Sequence, residues 1–210
     1  MNIVIYGASS LGACAHGIAV SCKASSVVFY DDFRETILAP GVELIEGWSS
    51  LRRLLLDKNF KLCIAVGSPS ARRQVWEKVL KDFGANSLAS LIHPRANIMQ
   101  GASIGSGAII FPGATVAPYA SIGQRSVLNA NCSIGAYSSL SDDVSVGPNA
   151  SIGSECGIGH QALIGMGASV LQQVKICGSV SLGAMSLANH DIDVPGTYVG
   201  IPARRIDRCC

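Results

Sequence analysis

From Ile98 to Leu182 an aliphatic residue returns at every sixth position without a miss, fifteen times in succession. The series runs Ile98, Ile104, Ile110, Val116, Ile122, Leu128, Ile134, Leu140, Val146, Ile152, Ile158, Ile164, Val170, Ile176 and Leu182. Two places before most of them stands a small residue, as at Ala108, Ala114, Ala120, Ser126, Cys132, Ser138, Ala150, Cys156, Ala162 and Ala168. Gly directly follows many of them, as at Gly105, Gly123, Gly135, Gly147, Gly153, Gly159, Gly165 and Gly183. A period of six is neither the helical 3.6 nor the strand period of 2. It describes a short strand plus a turn, stacked so that each unit covers the aliphatic residue of the next. Three such sides close a triangular coil, so the pattern predicts about five coils of a parallel β-helix. The aliphatic residue should point into the prism, worth roughly 1.5–3 kcal/mol each when fully buried. The small residue should sit inward near a corner, and the Gly is expected to supply a bend with φ > 0.

Residues 1–90 have another texture. Asn2–Tyr6 reads as a buried parallel strand running into Gly7-Ala8-Ser9-Ser10-Leu11-Gly12, then an Ala-rich helix to about Cys22. Val27–Tyr30 is a second strand ending in Asp31-Asp32, a helix is expected around Ser49–Asp57, and Leu62–Val66 is a third strand ending in Gly67-Ser68-Pro69. Ser70–Phe83 reads as an amphipathic helix with Ala71, Val75, Val79 and Leu80 on its apolar side. A strand over Ser87–Ile92 then leads to His93-Pro94 at the handover. Strand, Gly turn, helix and a strand with a terminal acid predict a Rossmann-like α/β domain at about 1–90, followed by the β-helix at about 91–206. In such sheets ligands sit beyond the carboxyl ends of the strands, here Gly7–Gly12, Asp31-Asp32 and Gly67-Ser68.

Composition narrows the picture. With 210 residues, 49% hydrophobic and 14% charged, the chain can bury a sizeable core, and a net charge of +2 argues against a nucleic-acid binder. No apolar run reaches the roughly 18 residues of a membrane span, and the N-terminus does not read as a leader. Eight cysteines without framework spacing read as reduced, which predicts a cytoplasmic protein. Cys132 and Cys156 read as packing residues, and Cys209-Cys210 as a frayed tail rather than a lipidation site. The short N-terminal unit lacks the third Gly expected of an NAD fingerprint, and the histidine spacing does not support a three-His zinc site.

The chain resembles the sialic-acid O-acetyltransferase (NeuD)-type branch of left-handed β-helix acyltransferases, and within it the bacterial UDP-4-amino-sugar N-acetyltransferases. The likeness is carried by Y-G-A-S at 6–9, D-D-F at 31–33, A-V-G at 65–67, I-H-P at 92–94, the hexapeptides, and V-G-I-P-A-R-R at 199–205. It implies a homotrimeric acyltransferase that moves an acetyl group from acetyl-CoA to the amine of a UDP- or dTDP-linked amino sugar, for surface glycan synthesis. By position, Ser9, Ser10, Asp31, Asp32, Gly67 and Ser70 would contact the nucleotide sugar. Met166 and Ala184 would line the acetyl-CoA groove, with Pro202, Arg204 and Arg205 near its adenosine end. In this family an Asn is followed seven residues later by a general-base His and then an acid. Here Asn129 is present, but those positions hold Ala136 and Tyr137, while Ser145 and Leu11 replace two further histidines.

Three readings follow from that departure. A neutral amine can attack the thioester directly, held by Asn129, because orientation supplies much of such a rate. Another side chain can serve as base: His160 stands at the same point of its own repeat but on a neighbouring side of the prism, and Tyr137 and His190 are further candidates. Asp142 and Asp143 read as solvated carboxylates of a surface turn. The third reading is a trimer that binds ligands without chemistry.

Overall fold

The computed structural model describes residues 1–34, 36, 39–56 and 60–206. The chain divides into two compact units: Met1–Pro94 with Ser106–Ile109, and Arg95–Gly105 with Ile110–Cys210. Cys209 and Cys210, and Asp57 at the expected helix end, lie outside the described residues.

In the first unit, strands β1 (Asn2–Tyr6), β2 (Ser26–Tyr30), β3 (Glu43–Ile45) and β4 (Phe60–Ile64) form a wholly parallel sheet in the order β3-β2-β1-β4. Helix α1 (Ser10–Ser21) links β1 to β2, α2 (Trp48–Leu56) links β3 to β4, and α3 (Pro69–Phe83) follows β4. Strands β1, β2 and β4 are apolar on both faces, as a sheet with helices on both sides requires. One face sends Val4, Tyr6, Val28, Tyr30, Leu62 and Ile64 into a cluster with Leu51 of α2 and Trp76 and Val79 of α3. The intervening Ile3, Ile5, Phe29 and Cys63 are buried too, as are Ala15, Ile18 and Ala19 of α1. Gly12 lets α1 approach the first turn: a Cβ there would stand 3.0 Å from the Gly7 carbonyl carbon and closer still to its oxygen.

Three expectations need correction. The strand β3 has no signature in the sequence, because three residues carry no periodicity. The Ser87–Ile92 strand is a 3₁₀ turn at Ala85–Ser87, a single bridge from Leu88 to Leu62, and a strand of only Leu91–Ile92. The core side of α3 is Arg72, Trp76 and Val79, whereas Leu80 is 43% exposed. Trp76 supplies more apolar area than Val75 and Leu80 can, and so sets which way the helix faces.

The second unit is a three-sided parallel β-helix. One side stacks Ser103–Ile104, Ser121–Ile122, Ser139–Leu140, Gly157–Ile158 and Lys175–Ile176. The next stacks Val127–Leu128, Ser145–Val146, Leu163–Ile164 and Val180–Leu182. The third stacks Asn97–Ile98, Thr115–Val116, Ser133–Ile134, Ser151–Ile152, Ser169–Val170 and Leu187–Ala188. Partners are eighteen residues apart, so three hexapeptides make one coil. Val116, Leu128, Ile134, Val146 and Ile164 are buried, and Ala114, Ala120, Ala150, Ala162 and Ala168 fill the inner corners beside them. Cys132 and Cys156 are buried at the same repeat position, as packing residues.

The glycines do a different job from the one expected. The left-handed backbone falls three residues after each aliphatic, at Tyr119, Arg125, Asn131, Tyr137, Asp143 and their equivalents, with φ of 55–61° at these five. The Gly next to the aliphatic does not bend the chain. A Cβ at Gly135 would lie 2.4 Å from the Gly153 carbonyl carbon, and one at Gly123 2.4 Å from the Ser141 carbonyl carbon. At these two glycines the backbone of the next coil leaves no room for a side chain.

Past Leu187 the period ends but the winding continues. Ile192 bridges Ile176, and Gly196–Val199 pairs in parallel with Val180–Leu182, bringing Tyr198 over Leu182. Gly196–Val199 then turns back through an antiparallel pair with Arg204–Ile206. No helix among the described residues is long and apolar enough to cross a membrane.

Candidate functional site

The carboxyl ends of β1, β2 and β4 enclose a cavity of about 440 Å³. Ser9, Asp31, Asp32 and Gly67 line it, as expected of strand ends, whereas Ser10 and Ser70 are not among its lining residues. Ser70 instead shares a 3.1 Å hydroxyl–hydroxyl hydrogen bond with Ser68, which caps α3 by accepting from the Ala71 N–H. One wall comes from residues that the strand-end pattern does not single out. Ala71, Gln74, Val75 and Lys78 project into the cavity from α3, and Phe33 and Arg34 from the segment after β2. The helix wall was legible as i, i+3, i+4, i+7 spacing, which puts these four on one stripe beside the core stripe.

The two adjacent acids are both committed to protein groups. Asp31 accepts from the Ala8 N–H at 2.8 Å through one oxygen, and from the Phe33 and Arg34 N–H groups at 2.9 and 3.1 Å through the other. It thereby ties the β2 end to the first Gly turn. Asp32 accepts from the Tyr6 and Tyr30 hydroxyls and from Lys78 Nζ, which sits 3.0 Å away. Lys78 also lies over the Trp48 ring, 4.1 Å from its centroid. Burial pushes the Asp32 carboxyl upward, but hydrogen bonds from Tyr30, Tyr6 and Lys78 and the lysine's charge outweigh it. The net result is a carboxyl below its ordinary value. Burial first, then the bond to Asp32 and its charge, push both tyrosine hydroxyls far above their ordinary value. Cationic and hydrogen-bonding groups beside an aromatic ring suit a ligand carrying both negative charge and a flat ring.

On the prism, Asn129 is half-buried after Leu128, its Nδ2 donating to the Val146 carbonyl at 3.1 Å. Tyr137 is 64% exposed and stacks on Tyr119 with ring centroids 5.2 Å apart. Gly101, one coil further, makes room for the Tyr119 ring, which a Cβ there would meet at 2.5 Å. His160 is exposed and lies across Gly178, following Ile158 on a different side from Ile134 and Ala136. Met166 and Ala184 are exposed neighbours on successive coils, the Met185 N–H donating to the Met166 carbonyl at 2.8 Å. Arg204 and Arg205 are exposed and line a recess of about 180 Å³ with Asn189, His190, Asp191 and Tyr198, whereas Pro202 lies in the turn beside it.

Asp143 departs from expectation, whereas the Asp142 side chain stays 42% exposed. Asp143 is 1% exposed and receives two bonds of 2.9 Å from Arg125, itself 1% exposed, while Arg125 also reaches Asp142 at 3.1 Å and Gln124 at 2.8 Å. Stacked left-handed corners aim successive side chains at one another, so Arg125 and Asp143 pair instead of facing water.

Residues 2–79 match the family model described as the PglD N-terminal domain. No curated protein sequence matches the chain. Among solved structures, the acetyltransferase domain of PglB from Neisseria gonorrhoeae superposes with a TM-score of 0.91 at 26% identity, covering 98% of this chain and 99% of that one. The chain has the fold of the left-handed β-helix sugar acetyltransferases. A mutant of perosamine N-acetyltransferase from Caulobacter crescentus, in complex with CoA and GDP-perosamine, matches at TM-score 0.91 and 21% identity over 99% of this chain and 97% of that one. WeeI from Acinetobacter baumannii matches at 0.86 and 21%, over 98% of this chain and 100% of that one. These likenesses extend over both units of the acetyltransferase fold.

Proposed function

We propose that this chain is an acetyl-CoA-dependent N-acetyltransferase acting on the amine of a nucleotide-linked amino sugar, working as a cytoplasmic homotrimer in surface glycan synthesis. One observation carries the reading. A domain of the PglD N-terminal type, with a 440 Å³ cavity at its strand ends, is joined in one chain to a hexapeptide prism, as in the PglB acetyltransferase domain solved with acetyl coenzyme A. The perosamine enzyme adds support, since it holds CoA and a nucleotide-linked sugar together.

On this reading Ser9, Gln74, Arg34 and Lys78 meet the nucleotide sugar, and Asp31 and Asp32 shape its cavity. Met166 and Ala184 meet the pantetheine arm, and Arg204 and Arg205 the nucleotide end of acetyl-CoA. The neutral sugar amine attacks the thioester carbonyl carbon, the carbon–sulfur bond breaks, and the ammonium proton passes to the departing thiolate or to solvent. The products are an acetamide and free CoA thiol. Asn129, whose amide nitrogen is fixed to the Val146 carbonyl, presents its carbonyl oxygen to the amine. With Ala136 where the related sites carry histidine, the reaction relies on orientation, which can replace much of the 10²–10⁴-fold that general-base help is worth (about, per group).

The test is thiol release from acetyl-CoA across a panel of UDP-, dTDP- and GDP-linked amino sugars. Turnover that survives His160→Ala and Tyr137→Phe but collapses with Asn129→Ala supports the orientation route. Collapse with His160→Ala would make His160 the base instead. Ala136 also favours a second reading, a trimer that binds both ligands without chemistry; saturable binding of both with no thiol released would establish it and remove the first.

A further inference from the structure

Arg72 is the most conspicuous charged residue that neither the cavity lining nor the prism accounts for. It lies in the first turn of α3 and is fully buried on the face that also carries Trp76 and Val79. Burying a guanidinium is costly, and the N-terminal end of a helix is the unfavourable end for a cation. An apolar residue of similar volume would continue the core stripe without either penalty. What the guanidinium does is visible in its bonds: Nη1 donates to the Val66 carbonyl at 2.8 Å and lies 3.4 Å from the Gly67 carbonyl. Those two residues lie in the turn that follows β4 and form part of the cavity wall. The Arg72 N–H meanwhile donates to the carbonyl of the cap residue Ser68 at 2.9 Å. One side chain therefore holds the strand-to-helix turn from behind while the front of that turn faces the cavity.

We propose that Arg72 is a positioning residue for the nucleotide-sugar cavity, fixing the Val66–Gly67 wall so that its backbone is preorganised for ligand. The role rests on the function proposed above for the cavity's occupant, but not for the mechanical claim. Both carbonyls are met by the one nitrogen Nη1, which a rigid planar guanidinium holds in place; lysine offers a donor on a flexible stem, and methionine supplies volume with no donor.

The experiment uses the full chain as Arg72→Lys and Arg72→Met, with two readouts. The first is deuterium exchange in the free protein. Peptides spanning residues 65–72 are expected to exchange about tenfold faster in Arg72→Met and less so in Arg72→Lys, while peptides of α1 and of the prism keep their wild-type protection. The second is steady-state kinetics, in which KM for the nucleotide sugar rises about tenfold, with kcat and KM for acetyl-CoA within twofold of wild type. Unchanged protection at 65–72 in both variants would overturn the proposal. So would protection lost evenly through the first unit, which is the mark of a merely structural residue. If Arg72→Met does not fold, Arg72→Lys decides by the same two readouts. A wild-type protein that binds no nucleotide sugar would remove the proposed reaction, and the exchange measurement would still decide Arg72.

Discussion

Arg125 and Asp143 stand eighteen residues apart in the chain and one coil apart in the prism, joined by two parallel bonds of 2.9 Å in a corner where each is 1% exposed. Both occupy the left-handed corner position, with φ of 55° and 61°. A pair desolvated to this degree is costly to break, because removing Asp143 takes two bonds from a buried guanidinium to which the more exposed Asp142 and Gln124 remain. Asp143→Ala is expected to lower stability by about 3–5 kcal/mol. The Arg125→Met/Asp143→Ala double variant should lose less than the sum of its singles, by about 1–3 kcal/mol of coupling. Denaturant unfolding of the four proteins at one concentration checks both statements.

Some glycines would press a Cβ against backbone, and others have open space beside them. Gly123→Ala would drive a Cβ to 2.4 Å from the Ser141 carbonyl carbon and should destabilise by about 3 kcal/mol through forced separation of two coils. Gly17, exposed in α1 with nothing within 4 Å of an added Cβ, should gain about 0.5–1 kcal/mol as Ala. Paired melting curves test the contrast, and equal effects at the two sites would contradict the stacking account.

The Tyr6–Asp32–Tyr30 cluster predicts a pH signature with two edges. Asp32 has its folded-state carboxyl value below the ordinary 3.8, so its stabilisation is present above that pH and is lost as pH falls through the lowered value. Tyr6 and Tyr30 are raised above the ordinary 10.0, so theirs is present below pH 10 and is lost only in stronger alkali. Asp32→Asn should cost about 1–3 kcal/mol at neutral pH, the worth of hydrogen bonds to a charged group, and flatten the acid edge. Absorbance titration of tyrosine should show a late-ionising component that Tyr6→Phe/Tyr30→Phe abolishes.

Thiol chemistry separates the cysteines by depth. Burial pushes the Cys63 and Cys132 thiols up to about 12, so neither supplies thiolate at neutral pH. Cys14 is exposed on α1. Site-resolved alkylation of the native protein should label Cys14 at least about a hundredfold faster than Cys63 or Cys132, since pH 7 lies five units below their thiol values. Comparable labelling would mean that the sheet or the prism opens readily.

Ala136→His restores the side chain that the resemblance places at that point of the site. Thiol release in the presence of a turned-over amino sugar is expected to rise by about 10²-fold or more, with a new dependence on the neutral, unprotonated fraction of imidazole. An unchanged rate would show that position 136 does not face the amine.

The prism was almost wholly legible from its period. Fifteen aliphatics at spacing six, with small residues two places earlier, specify sides, coil length and inward positions, because a side chain in a stacked coil has few places to go. The corner chemistry was not. That Arg125 and Asp143 meet, that Tyr119 and Tyr137 stack, and that Gly123 yields to the Ser141 backbone depend on which residues lie eighteen apart at one corner.

In the first unit the strand ends named the cavity, and Ser9, Asp31, Asp32 and Gly67 line it. The wall from α3 is not legible in the apolar pattern, because Val75 both lines the cavity and packs against the core cluster, while Arg72 and Trp76 take the fully buried face. The local pattern alone therefore determined the two architectures, their order and the strand ends that line the cavity. Only tertiary packing decided which acid bonds which tyrosine and which arginine goes under the cavity floor. Periodicity reports the face a residue lies on, whereas partners are chosen by three-dimensional neighbours that no spacing along the chain records.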